Sequence, residues 1–166
     1  DIEKMLEDNK NDFLVEIAND NSDGQIVLSG KIQDLEKLSA VLKVNKIKNI
    51  KLPVSAPFHC SLMNKATDIM KEELVKLKFK KGSNSLISNI TADEIFNADE
   101  LKDLLIMQIE NRVRWRESVI NMIGKDINQF IEIGPGKVLS GLVKRVSKEV
   151  EVCSINNEED IKNIKI

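Results

Sequence analysis

The chain has 166 residues, with 25 Lys+Arg against 27 Asp+Glu and a formal charge of −2. So even a balance argues against a dedicated binder of nucleic acid or anionic membrane, whose affinity would rest on a large basic excess. At 42% hydrophobic and 31% charged residues the composition is that of a folded domain with a real core, and no apolar stretch approaches the about 20 residues that span a bilayer.

The opening segment, DIEKMLEDNK, carries Ile2, Met5 and Leu6 at helical spacing, which predicts a short helix over 2–10. It starts at Asp1 with no Met, cap or apolar leader, so the chain is expected to be part of a longer, cytoplasmic polypeptide. DFLVEIAND predicts a strand over about 12–18, NDNSDG (19–24) a turn, and QIVLSG (25–30) a second strand, together a hairpin. Ile32, Leu35, Leu38, Val41 and Leu42 predict a helix over 31–42, and KIKNIKLPV a strand leading into the loop SAPFHC. This order of elements is a ferredoxin-like split βαβ lacking its opening strand. Leu62, Ala66, Ile69, Met70, Leu74 and Leu77 then predict a helix over 60–78, SNSLISNIT (83–91) a short strand, and 99–109 and 114–123 two further helices, the second ended by Gly124. A strand (128–134), the tight turn GPG, a helix (137–148), a strand (150–155) and a polar terminal helix complete an α/β layer with a mainly parallel sheet.

Few residues suggest chemistry. His59 is the only histidine and lies in a loop stiffened by Pro53 and Pro57, near a strand end, where open α/β sheets hold ligands. Cys60 beside it is expected to point elsewhere, because adjacent residues in a loop or strand face apart. Cys60 and Cys153 make neither a disulfide framework nor a metal-ligand spacing, so a reducing compartment and no bound metal are expected. GPGK (134–137) joins a strand to a helix and could hold an anion, but it lacks the length and Lys-Ser/Thr pair of a phosphate loop and reads first as a turn. Lys43, Lys46, Lys48 and Lys51 have no interleaved aromatic residue for base stacking and read as a solvated edge.

Five segments in order, NDNSDGQIVLSG (19–30), LPVSAPFHCSLM (52–63), SLISNITA (85–92), QIENRVRWRESV (108–119) and EIGPGKVLSGLVKR (132–145), resemble the malonyl-CoA:acyl carrier protein transacylases of bacterial fatty acid synthesis, over the C-terminal half of that family. The resemblance implies a hydrolase-like acyltransferase α/β domain with an inserted ferredoxin-like subdomain. Residues 1–54 would be that subdomain without its opening strand, and 55–166 the C-terminal part of the large domain. It also implies ping-pong transfer of malonyl from coenzyme A through a serine to the phosphopantetheine thiol of acyl carrier protein, with no permanently bound cofactor and a monomeric full-length enzyme.

In this likeness His59 is the general acid–base and Gln108 stands at the position associated with accepting its Nδ1 proton. Phe58 stands where related polyketide acyltransferases carry Phe for malonyl and Ser for methylmalonyl, and Asn19, Asn21 and Asn89 match amides lining the cleft. An acidic carrier protein would meet Lys46, Lys48 and Lys51, or Lys137, Lys144 and Arg145. The G-x-S-x-G serine is not in the sequence, and none of Arg112, Arg114, Arg116 and Arg145 matches the family's carboxylate-binding arginine. The chain is therefore expected to be inert alone. The alternatives are a split or degenerate carrier-protein binder without turnover, and a ferredoxin-like module for nucleic acid, which the charge disfavours.

Overall fold

Apolar spacing sets the helices and capping chemistry sets their ends. In the computed structural model, which describes residues 2–80 and 82–164, the helices are α1 (Ile2–Asp8), α2 (Ile32–Val44), α3 (Asn64–Val75), α4 (Ala98–Met107), α5 (Trp115–Gly124), α6 (Val138–Val146) and α7 (Glu158–Asn163). Asn97 opens α4 by accepting the Asp99 amide at 2.8 Å, and Asn157 opens α7 by accepting the Glu159 and Asp160 amides at 2.9 and 3.1 Å. The end of α5 departs from expectation. Gly124 is its last residue, and Asp126, at φ 64°, takes the left-handed position, a conformation that Asp tolerates better than most side chains.

The strands are β1 (Val15–Ser22), β2 (Gln25–Gly30), β3 (Leu86–Ile87), β4 (Glu94–Ile95), β5 (Gln129–Ile133) and β6 (Glu151–Ile155). β1 runs four residues further than its composition suggests, so Asn19 and Asn21 lie on a strand. The turn shrinks to Asp23-Gly24, with Gly24 at φ 72°. Alternation explains the extension: Ala18, Asp20 and Ser22 are buried, and β2 offers Val27 and Ile26 across from Asn19 and Asp20.

Among the described residues the expected mainly parallel sheet is represented by one parallel pair, β5 with β6, while β1–β2 and β3–β4 are antiparallel. The stretch 47–54 forms no strand: it pairs with no strand among the described residues, and Ile50 and Val54 face solvent. The strand expected over 83–91 is cut to two residues, because Ser88 to Ala92 fold back on themselves. There the Ala92 amide bonds Ser88 O at 2.8 Å and Ala92 sits at φ 57°.

Apolar burial is divided between two clusters. Phe13, Val15, Leu38 and Leu42 form one, with Met5, Leu6 and Leu28 packed around them. Val119, Val143 and Val150 form the other, with Trp115, Phe130 and Val152. β1 joins the two through the main chain of Val113, whose N–H donates to Ala18 O at 2.8 Å and whose carbonyl accepts the Asp20 amide at 2.9 Å.

Leu38 is 1% exposed and Val44, on the same helix, 83%. Leu38→Ala is expected to destabilise the chain by about 2–5 kcal/mol and Val44→Ala to stay within about 0.5 kcal/mol, measured by urea unfolding.

Candidate functional site

The loop before α3 is built around its histidine. His59 lies at φ 58°, in the left-handed region that costs a residue with a Cβ roughly 1–2 kcal/mol. Four bonds hold it there. The Cys60 thiol is completely buried and donates to Pro57 O at 3.1 Å, closing a tight ring about His59. The Ser61 amide and hydroxyl both donate to the Glu16 carboxylate on β1, the amide at 3.1 Å. His59 Nδ1 itself lies 2.9 Å from the main-chain carbonyl oxygen of Gln108. A carbonyl oxygen only accepts, so Nδ1 carries the proton and Nε2 presents a lone pair when the ring is neutral.

Gln108 caps the C-terminus of α4, where the last carbonyls of a helix have no partner within it. That is why its oxygen is available to an imidazole 49 positions away. Its side chain points to other work: Oε1 accepts from Asn89 Nδ2 at 3.2 Å. Asn89 sits in the Ser88–Ala92 turn, and its carbonyl accepts the Arg114 amide at 3.0 Å. His59, Gln108 and Asn89 are thus one hydrogen-bonded line, and the neighbouring residue Val113 carries it to Asn19 on β1. Asn21 lies two residues further along and is outside that line. Phe58 is half exposed beside the histidine. A cavity of about 200 Å³ opens behind Gln108 and Asn89, walled by Leu86, Leu101, Leu104 and Leu105.

Charged residues outside the predicted site brace this line. Arg116 forks onto Asp20, Nε to Oδ1 at 3.0 Å and Nη2 to Oδ2 at 2.8 Å, and the Asp20 side chain is 8% exposed. Hydrogen bonding to that carboxylate raises the Arg116 guanidinium above its ordinary value. Arg114 pairs with Glu117, whose carboxyl it draws below the usual range, and donates to the carbonyls of Ile90 and Thr91 at 3.1 Å each. Both arginines therefore serve the turn that presents Asn89 and the strand that presents Asn19. A run of polar residues, NDNSD, hid the buried member Asp20.

The GPGK turn is occupied by the chain's own groups. Glu132 accepts the first free amides of α6, Leu139 at 3.1 Å and Ser140 at 2.7 Å, and bonds to Ser140 hold its carboxyl below the ordinary range. The Gly136 amide donates to Asn156 Oδ1 at 2.6 Å. A positive helix end already filled by a carboxylate has little left for an external anion, so the turn is structural. Among the described residues no group of three His, Cys, Asp or Glu side chains could hold a metal ion, and no helix is long and apolar enough to cross a membrane.

The resemblance read from the motifs is borne out by comparison with known proteins. Malonyl CoA-acyl carrier protein transacylase of Bacillus subtilis is 42% identical over 149 residues, 89% of this chain and 47% of that relative. The crystal structure of acyl-carrier-protein-S-malonyltransferase from Bartonella henselae superposes with a TM-score of 0.92 at 35% identity, covering 98% of this chain and 52% of that one. A malonyl-transacylase solved in complex with a type II polyketide synthase acyl-carrier protein superposes at 0.90 with 28% identity over 96% of this chain and 52% of that one. The chain spans about half the length of the curated relatives it matches. No family model matches it.

Hydrogen bonding to Lys125, with further bonds from the Glu94 amide and Asn121, holds the Asp93 carboxyl down to about 2. A depressed carboxylate contributes stability that is present above its unfolded value, about 3.9, and is lost as pH falls through the folded value. Asp93→Asn is therefore expected to flatten the acid limb of the stability curve between about pH 4 and 2. Circular dichroism melts across that range check it, and an unchanged limb would detach Asp93 from the turn's stability.

Proposed function

We propose that this chain is the histidine-bearing half of a malonyl-CoA:acyl carrier protein transacylase, with His59 as the acid–base of a two-step transfer whose serine belongs to the other half of the enzyme. The observation that carries this reading is the His59–Gln108 bond. It leaves Nε2 as the one ring atom able to take a proton, in a chain similar along nearly its whole length to transacylases. Nε2 would accept the serine hydroxyl proton as the serine oxygen attacks the thioester carbonyl, then return it to the departing coenzyme A sulfur. In the second half-reaction Nε2 takes the carrier thiol's proton as its sulfur attacks the malonyl ester, and gives it to the serine oxygen. The Gln108 carbonyl fixes the tautomer and stabilises the transient imidazolium, the part an aspartate plays in other triads. No resident cofactor is needed, and malonyl-CoA is the substrate.

Asn19, Asn21 and Asn89 are assigned to the cleft wall and Phe58 to the acyl pocket, where its ring would crowd an α-methyl group. The two apolar clusters support a division into a ferredoxin-like subdomain over 1–54 and the large-domain part over 55–166, with the parallel pair β5–β6 as the end of a larger parallel sheet. For acyl carrier protein the α6 cations divide. Lys144 Nζ donates to Val150 O at 2.6 Å and Arg145 to Gln25, so both have internal duties. Docking then falls to Lys137 at the start of α6 and to Lys46, Lys48 and Lys51.

Intact mass spectrometry after incubation with malonyl-CoA is expected to find no stable malonyl adduct on the chain alone, since His59 has no serine to activate. Fused to the half of the Bacillus subtilis transacylase that it does not match, the chain is expected to lose about 10²–10⁴-fold in turnover on His59→Ala. Gln108→Ala keeps the carbonyl and should cost far less. Near wild-type turnover of the His59 variant would remove it from the reaction.

In the same fusion Phe58→Ser is expected to move selectivity toward methylmalonyl by roughly tens of fold, the worth of one methyl group in a tight apolar site. Competition between the two thioesters measures it, and an unchanged ratio would show that Phe58 does not touch the acyl group.

A further inference from the structure

The helical run that follows His59 starts without a cap of its own. It opens as a short turn, Ser61–Met63, and continues as α3, and neither Cys60 before the first nor Met63 before the second bonds a helix amide through its side chain. The Ser61 amide is taken instead by a group from elsewhere in the chain, the carboxylate of Glu16 on β1, 45 positions earlier. Of the four bonds around His59, only those to Glu16 tie the loop's main chain to another element. The Cys60 thiol bonds within the loop, and the Gln108 carbonyl holds the ring rather than the backbone that carries it. Cys60 is extended, at φ −146° and ψ 168°, between the left-handed His59 and the helical run, so the imidazole is aimed by a short backbone whose downstream end is fixed at Ser61. The Ser61 amide and hydroxyl both end on one atom, Glu16 Oε1. Glu16 is exposed, so water and salt screen its charge, and what it contributes is the position of that accepting oxygen.

We propose that Glu16 is a positioning residue for the acid–base of the site: by pinning Ser61 it keeps the His59 ring against the Gln108 carbonyl and so keeps Nε2 free to take a proton. Its use in transfer rests on the reading of His59 as the acid–base, whereas its effect on the ring does not. The strand that carries Asn19 and Asn21 thereby also sets the loop that carries His59.

The test compares Glu16→Gln, which keeps Oε1 and loses the charge, with Glu16→Ala, which loses the atom. In the ¹⁵N-labelled chain the Gln variant is expected to keep the parent's Nδ1–H ring, whereas in the Ala variant the ring leaves the carbonyl and the Nε2–H tautomer appears beside it. In the fusion with the unmatched half of the Bacillus subtilis transacylase, Glu16→Ala should lower kcat by about tenfold or more with little change in KM for malonyl-CoA, and Glu16→Gln should stay within about threefold of the parent. Ser61→Ala removes only the hydroxyl bond at an exposed position and so keeps the fold. It should lower kcat by a smaller factor and cost nothing further when added to Glu16→Ala. A ring that stays wholly Nδ1–H in Glu16→Ala, parent kcat in Glu16→Ala or Ser61→Ala, equal losses in the Gln and Ala variants, or additive losses at Glu16 and Ser61 would each overturn the proposal. A fusion that transfers no malonyl with Glu16 in place would remove the proposed activity and leave the ring comparison to decide the positioning.

Discussion

The hydrogen bond from His59 Nδ1 to the Gln108 carbonyl is the constraint on which the arrangement of the site depends. It reaches across 49 positions and ties a loop with no regular structure to the end of a helix. Neither partner could hold the other by itself. A left-handed histidine costs roughly 1–2 kcal/mol, and one hydrogen bond contributes a net of about 0.5–1.5 kcal/mol, so the loop needs the Cys60–Pro57 and Ser61–Glu16 bonds as well. The buried cysteine next to the histidine is thus a fastening, and its thiol is committed to a carbonyl.

Behind the line from His59 to Asn89 stands a frame of charge. Arg114 and Arg116 are two residues apart across the start of α5; one grips the Ser88–Ala92 turn and the other the buried carboxylate of Asp20. The forked Arg116–Asp20 pair joins α5 to β1 and so reinforces the link that the Val113 main chain makes between the two apolar clusters. Removing Asp20 would strand a half-buried guanidinium and loosen the strand that carries Asn19 and Asn21. The polar run on β1 is therefore compatible with a strand because its inward members have partners or small side chains.

Much of this was legible in the sequence, and what was not has physical causes. Ile32, Leu35, Leu38 and Leu42 announce α2 because a helix buries one stripe, and the hairpin is legible from its two strands, while its turn is Asp23-Gly24 alone and not the whole polar run 19–24. The motif around His59 marked the site. Its acceptor was harder to read: sequence names the Gln108 side chain, while the bond uses a main-chain oxygen freed by the end of α4, which any residue there would offer. The stretch 47–54 has the composition of a strand, yet a strand requires a neighbour, and none is found among the described residues. The same holds for β5, whose apolar pattern describes a surface that the chain leaves uncovered.

The state of the His59 ring tests the central claim most directly. It is the sole histidine, so a ¹⁵N-labelled chain gives a single imidazole pair in the NMR spectrum without assignment. In the neutral ring the expected result is a protonated, pyrrole-type Nδ1 and a pyridine-type Nε2, unchanged in Gln108→Ala, where the carbonyl persists. A ring dominated by the Nε2–H tautomer would contradict it, because that ring has no lone pair at Nε2 with which to take a proton.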